Sequence, residues 1–175
     1  DYVGGIIFAD IDNDADVVKK AVRKGMPAIV LNNALAEPMN WVAIDNRRAG
    51  FEVALQFVDM GHRRIATIAG DQSTRSGQER LAGFEEGLAV AGIKMPSAYV
   101  TYGNFLRTPA REAAQRLLKL KEPPTAVFAA SDVMALEFVD VARRHNMRVP
   151  EDVSVIGFDD NPLNSSSPVP LSTVY

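Results

Sequence analysis

The chain has 175 residues, of which 47% are hydrophobic and 23% charged. That is the make-up of an ordinary folded domain or of two small lobes, and it excludes a disordered tail, a collagen-like repeat and a disulfide-stapled miniprotein. The 19 Lys and Arg against 22 Asp and Glu leave a net charge of −3, a poor match for nucleic acid, whose binding depends on basic surface. Cysteine is absent, which removes thiol catalysis, disulfides and Cys zinc sites and is compatible with a reducing cytoplasm.

Short apolar runs alternate with helical patterns along the chain. Val3 to Ala9 is β-rich and bounded by turn residues, so it reads as a buried strand. Asn13 or Asp14 then caps a helix with Val17, Val18, Ala21 and Val22 on one face, ended by Gly25. Ala28 to Leu31 is a second strand and Trp41 to Ile44 a third, with no helix expected between them. Asp45 or Asn46 opens a helix with Val53, Ala54, Phe57 and Val58 on its apolar face, closed by Gly61. Ile65 to Ala69 is a strand, followed by a loop over 70–77 and a helix marked by Leu81, Phe84, Leu88 and Ala91. Tyr99 to Tyr102 is a strand, and Pro109 suits the first turn of the next helix. Thr125 to Ala130 is a strand, Ser131 or Asp132 caps a helix through Leu136, Val139 and Ala142, and Val153 to Phe158 is a further strand. Val169 to Tyr175 is again β-prone.

This βα alternation calls for parallel strands covered by helices on both faces. The missing helix before Trp41 suggests that the chain leaves one sheet there and starts another, with a boundary near Asp45. No run of apolar residues approaches the ~18 that a membrane helix needs. Because the chain opens on a strand already under way, it reads as a piece of a longer polypeptide.

In open parallel sheets, ligands bind beyond the C-terminal ends of the strands. Those positions carry Asp10 and Asp12, Asn32 and Asn33, the 70–77 loop with Arg80 behind it, Asn104 and Phe105, Ser131 and Asp132, and finally Asp159, Asp160 and Asn161. Such a set suits a neutral, hydroxyl-rich ligand. A carboxylate accepts hydrogen bonds, a guanidinium donates them in a planar fork, and an aromatic ring packs on the apolar face of a sugar or a base. Each residue also has a plainer reading. Asp45 and Asp132 serve equally as helix caps, Arg80 as a surface ion-pair partner, Phe105 as core and Asp159-Asp160 as a chain turn. His62, Arg63 and Arg64 follow a helix end, where basic residues favour the dipole. No dinucleotide fingerprint, P-loop or nucleophile elbow occurs. With two histidines, His62 and His145, neither a metal site, a cofactor nor a catalytic triad is expected, and the chain does not read as an enzyme.

Five stretches in order resemble the LacI/GalR family of bacterial transcription regulators. They are Gly61-His-Arg-Arg-Ile-Ala-Thr-Ile-Ala-Gly70, Arg80-Leu-Ala-Gly-Phe84, Pro124-Thr-Ala-Val-Phe-Ala-Ala-Ser-Asp132, Val149-Pro-Glu-Asp-Val-Ser-Val-Ile-Gly-Phe-Asp-Asp160 and Pro170-Leu-Ser-Thr-Val174. The resemblance implies an α/β, two-lobed, periplasmic-binding-protein-like effector domain with parallel sheets flanked by helices and an incomplete N-terminal lobe. Residues 1–45 would belong to the N-terminal lobe, 46–163 to the C-terminal lobe, and 164–175 would return toward the N-terminal lobe. The family's effector arginine falls on Arg80, its cleft aspartate on Asp159 and a ligand-packing aromatic on Phe105. Ser131-Asp132 stand where the family often has Asn-Asp, Asn33 stands where some members place an aromatic, and Asp10 lies on the opposite cleft wall. The implied function is sensing of a small-molecule effector, a sugar or related metabolite, by a cytoplasmic homodimer. Operator DNA would be bound through an N-terminal helix-turn-helix outside this sequence. The alternative of the same fold is the periplasmic sugar-binding protein of an ABC transporter.

Overall fold

The computed structural model describes residues 3–9, 16–32, 40–162, 164 and 170–175. The cap expected at Asn13 or Asp14, the helix-free link between the second and third strands, and the candidate residues Asp10 and Asn33 lie outside the described residues.

Two parallel sheets form. The first runs β1 (Ile6–Ala9), β2 (Ala28–Leu31), β3 (Asn40–Val42), with α1 (Asp16–Arg23) between β1 and β2. Val18 of α1 and Val30 of β2 are its fully buried pair. After β3 the chain crosses directly into α2 (Asn46–Asp59), β4 (Ile65–Ala69), α3 (Arg75–Val90), β5 (Val100–Tyr102), α4 (Arg107–Leu118), β6 (Ala126–Ala129), α5 (Asp132–Arg144), β7 (Ser154–Phe158) and β8 (Ser172–Val174). The second sheet has the order β5-β4-β6-β7-β8. Its central strands β4 and β6 are buried at every position, because helices cover both faces. Phe57, Phe84, Phe128 and Phe158 fill the side under α2 and α3. Ala110, Ala114, Leu117, Met134 and Phe138 fill the side under α4 and α5.

The caps follow local chemistry. Asp45 accepts from the Arg48 N–H at 2.9 Å and opens α2. Gly61, at φ 87°, takes the left-handed turn that ends it. Thr74 accepts from the Gly77 N–H at 3.1 Å, so α3 begins at Arg75, inside the stretch expected to be loop. Ser131 caps α5 by accepting from the Met134 N–H at 3.4 Å.

Residues 164–175 were expected to return toward the first lobe; within them, β8 pairs in parallel with β7 at the edge of the second sheet. Long-range bonds add to this pairing. The Thr173 hydroxyl donates to Asp132 Oδ1 at 2.6 Å, and the Asp159 N–H donates to the Val174 carbonyl at 3.0 Å.

Candidate functional site

The C-terminal ends of β4, β6 and β7 converge around one buried cation. Arg80, on the second turn of α3, has a side chain 9% exposed. Its Nε donates to Asn46 Oδ1 at 2.8 Å and its Nη1 to the Ala130 carbonyl at 2.6 Å. Phe158 lies flat beneath it, with the guanidinium carbon 3.4 Å from the ring centroid, a cation–π seat. Phe105 stands further off, its centroid 5.8 Å away. Nη1 also reaches Asp159 Oδ1 at 3.4 Å. Arg80 and Asp159, 79 residues apart, therefore meet. Among the described residues, Nη2 of Arg80 and Oδ2 of Asp159 are left without a hydrogen-bond partner.

The electrostatics run against both charges. Burial lowers the pKa of Arg80 against the pull of Asp159 and Asp132. Burial likewise raises the pKa of Asp159, Asp132 adds to that, and Arg80 opposes it. Arg80 is held where its ion would rather be in water, whereas the Asp159 side chain, 45% exposed, feels burial only in part; such perturbed pairs gather at sites that receive a polar partner. The backbone is unusual here too. Asn104, Phe105, Asp159 and Asp160 all have positive φ, at 52°, 60°, 105° and 47°. Such conformations cost of order 1–3 kcal/mol each in non-glycine residues and gather at functional loops. The Phe105 ring rests on Gly70, where a Cβ would collide with it.

The other expected residues divide. Ser131 is 5% exposed and serves as the α5 cap. Asp132, expected either as an effector residue or as a helix cap, is 0% exposed and its carboxylate accepts hydrogen bonds at both oxygens. Oδ2 accepts from the Asn161 N–H and from Asn164 Nδ2, each at 2.7 Å, and Oδ1 accepts from Thr173. Its task is to anchor β8 and the segment after β7, with Gly157 giving the clearance it needs. Asn46 and Phe158 were not expected as site residues. Asn46 had been read as a helix opener and Phe158 as the end of an apolar strand. The only hint in the sequence was the adjacency of Phe158 to Asp159.

His62 is structural, as its place after Gly61 implied, but by a different contact. Its Nδ1 lies 3.0 Å from Thr125 Oγ1 and its Nε2 3.1 Å from Ser154 Oγ, joining the starts of β6 and β7. Among the described residues no group of three His, Asp or Glu side chains is placed to hold a metal ion. No helix among them is long and apolar enough to cross a membrane.

A family model described as periplasmic binding protein-like domain matches residues 54–175. The HTH-type transcriptional regulator CelR of Thermobifida fusca is 35% identical over 176 residues, covering 99% of this chain and 52% of that protein. The HTH-type transcriptional repressor CytR of Escherichia coli is 38% identical over 154 residues, covering 87% and 45%. A solved CelR–cellobiose complex matches with a TM-score of 0.87 at 35% identity, covering 98% of this chain and 54% of that one. The chain spans about half the length of the curated relatives it matches.

Proposed function

The chain belongs to the periplasmic binding protein-like family, among the effector domains of LacI-type regulators, and from that premise we propose that it senses a small neutral, hydroxyl-rich effector of the sugar class. The observation that carries this reading is the Arg80–Asp159 pair. Joined through Nη1 and Oδ1, the two residues keep a donor at Nη2 and an acceptor at Oδ2 for a ligand, at the C-terminal ends of parallel strands. A vicinal diol fits that pair, one oxygen accepting from Arg80 and one hydroxyl donating to Asp159. Phe105 supplies an apolar face for the ring.

The proposed mechanism is closure of two lobes that meet at residues 43–46. An effector shared between the lobes binds the closed form better, and only that difference shifts the equilibrium. In the complete protein the shift would alter how paired helix-turn-helix headpieces sit on two operator half-sites. The regulator names of CelR and CytR support this over the transport alternative and over any enzyme; the proposal is of a cytoplasmic regulator that works as a twofold homodimer. Calorimetric titration of the complete protein with a panel of neutral mono- and disaccharides, cellobiose among them, tests the reading. Binding that is lost in Arg80→Ala supports it, and equal affinity in wild type and variant removes Arg80 from the site.

A further inference from the structure

Arg80 is held from behind by a residue of the segment that joins the two sheets. Asn46 is the first residue of α2 and is reached from β3 through residues 43–45, where the chain passes from the first sheet to the second. It is 4% exposed, and its Oδ1 accepts from Arg80 Nε at 2.8 Å. At the other end of the same amide, Nδ2 donates to the Ile44 carbonyl at 3.4 Å, and the Asn46 backbone N–H donates to that carbonyl at 3.0 Å. An amide whose two ends are both engaged has one orientation.

The frame around it is stiff. At Gly50 a Cβ would strike the carbonyl of Arg80, and at Gly83 it would strike the carbonyl of Arg47, so the backbones of α2 and α3 touch on either side of the Asn46–Arg80 bond. The crossing segment, by contrast, borders a cavity of about 300 Å³ between the end of the first sheet and the start of α3, lined by Trp41, Ile44, Asp45, Asn46 and Glu79 among others. Rigid packing on one side and open space on the other is what a few-residue hinge requires.

We propose that Asn46 is a positioning residue for Arg80. It fixes the guanidinium by its Nε and ties it, through the Ile44 carbonyl, to the crossing between the sheets. With Nε on Asn46, Nη1 on Ala130 and Phe158 beneath the plane, the guanidinium keeps one free edge, Nη2, at a set angle. Asn46 itself reaches no ligand and acts through Arg80. The functional meaning rests on Arg80 being an effector residue, whereas the positioning does not.

The test compares wild type, Asn46→Asp and Asn46→Leu in the complete protein, with Asn46→Ala in place of Asn46→Leu if the latter does not fold. The first readout is the Arg80 Nε–H resonance in ligand-free protein, assigned by its loss in Arg80→Lys. The expected result is slow exchange with water in wild type, tenfold or more faster exchange in Asn46→Leu or Asn46→Ala, and protection regained in Asn46→Asp, whose carboxylate still accepts from Nε. A residue that merely starts a helix would leave this resonance alone, so unchanged exchange in a folded Asn46→Leu or Asn46→Ala overturns the proposal. The second readout is the affinity for cellobiose, expected to fall at least tenfold in Asn46→Leu and to stay within threefold in Asn46→Asp. Wild type that binds neither cellobiose nor any other sugar contradicts the ligand reading, while the exchange rates still decide for or against Asn46.

Discussion

Asp159 carries a cost that its surroundings do not remove. Its folded pKa lies above the ordinary 3.8 because burial outweighs the attraction of Arg80. The folded form therefore holds its proton to higher pH than the unfolded chain does. Stability falls as pH rises from 3.8 through the folded value, and the ionised carboxylate is a burden at neutral pH. Asp159→Asn is predicted to leave the melting temperature at pH 7 equal or higher while weakening sugar binding, the signature of a residue kept for function. Arg80→Ala and Asp159→Ala should each weaken binding by about 1.5–3 kcal/mol, the worth of a charge-assisted hydrogen bond. His62 has the opposite sign. Burial lowers its folded pKa below 6.5, so the unfolded chain takes up a proton first as pH drops. Its contribution is whole above 6.5 and is lost as pH falls through the depressed folded value. Melting temperatures measured from about pH 7.5 down to about pH 5 should fall more steeply in wild type than in His62→Gln. At this scale the sequence was half legible. The meeting of Arg80 with Asp159 was expected, since both lie in the stretches that carry the family resemblance and both follow strand ends. The bonds of Asp132 were not, because its partners Asn161, Asn164 and Thr173 are 29, 32 and 41 residues away, where no local pattern reaches.

Among the elements, the strands read well because both-face burial leaves an unbroken apolar run, as in Ile65–Ala69 and Ala126–Ala129. The start of α3 read poorly. Gly70 to Gly77 has the composition of a loop, yet the Thr74 cap starts the helix within it. The α2–α3 contact was equally hidden, since a glycine within a helical pattern gives no sign of the backbone it faces. Gly83 faces the carbonyl of Arg47, Gly50 that of Arg80 and Gly87 that of Phe51. Gly83→Ala is predicted to force the helices apart and to destabilise by ~1–3 kcal/mol or more, measured by denaturant unfolding, despite the better helix propensity of Ala. Because Arg80 and Asn46 sit on these two helices, the same substitution should also weaken sugar binding. A gain in stability would show that the contact is looser than described.

For the whole molecule, the two sheets differ in how well they are enclosed. The second has helices on both faces, whereas Ile7, Val17, Val22, Trp41, Val42 and Ile44 of the first sheet, its helix and the crossing are exposed. The order of the sheets was legible from the break in βα rhythm before Asp45. The placement of β8 was not, because a short β-prone run fits either sheet edge and the Thr173–Asp132 bond that accompanies its pairing with β7 links distant residues. A net charge of −3 is a poor match for nucleic acid, so the proposed operator contact falls to residues outside this sequence. This chain alone should give no specific duplex shift at physiological salt, and a specific shift would contradict that assignment. The most direct test of the whole account is a crystal structure of the complete protein with a bound sugar from the calorimetric panel. The account predicts ring hydroxyls on Arg80 Nη2 and the Asp159 carboxylate, with Phe105 against the ring. A sugar seated elsewhere, with the Arg80–Asp159 pair untouched, would contradict it.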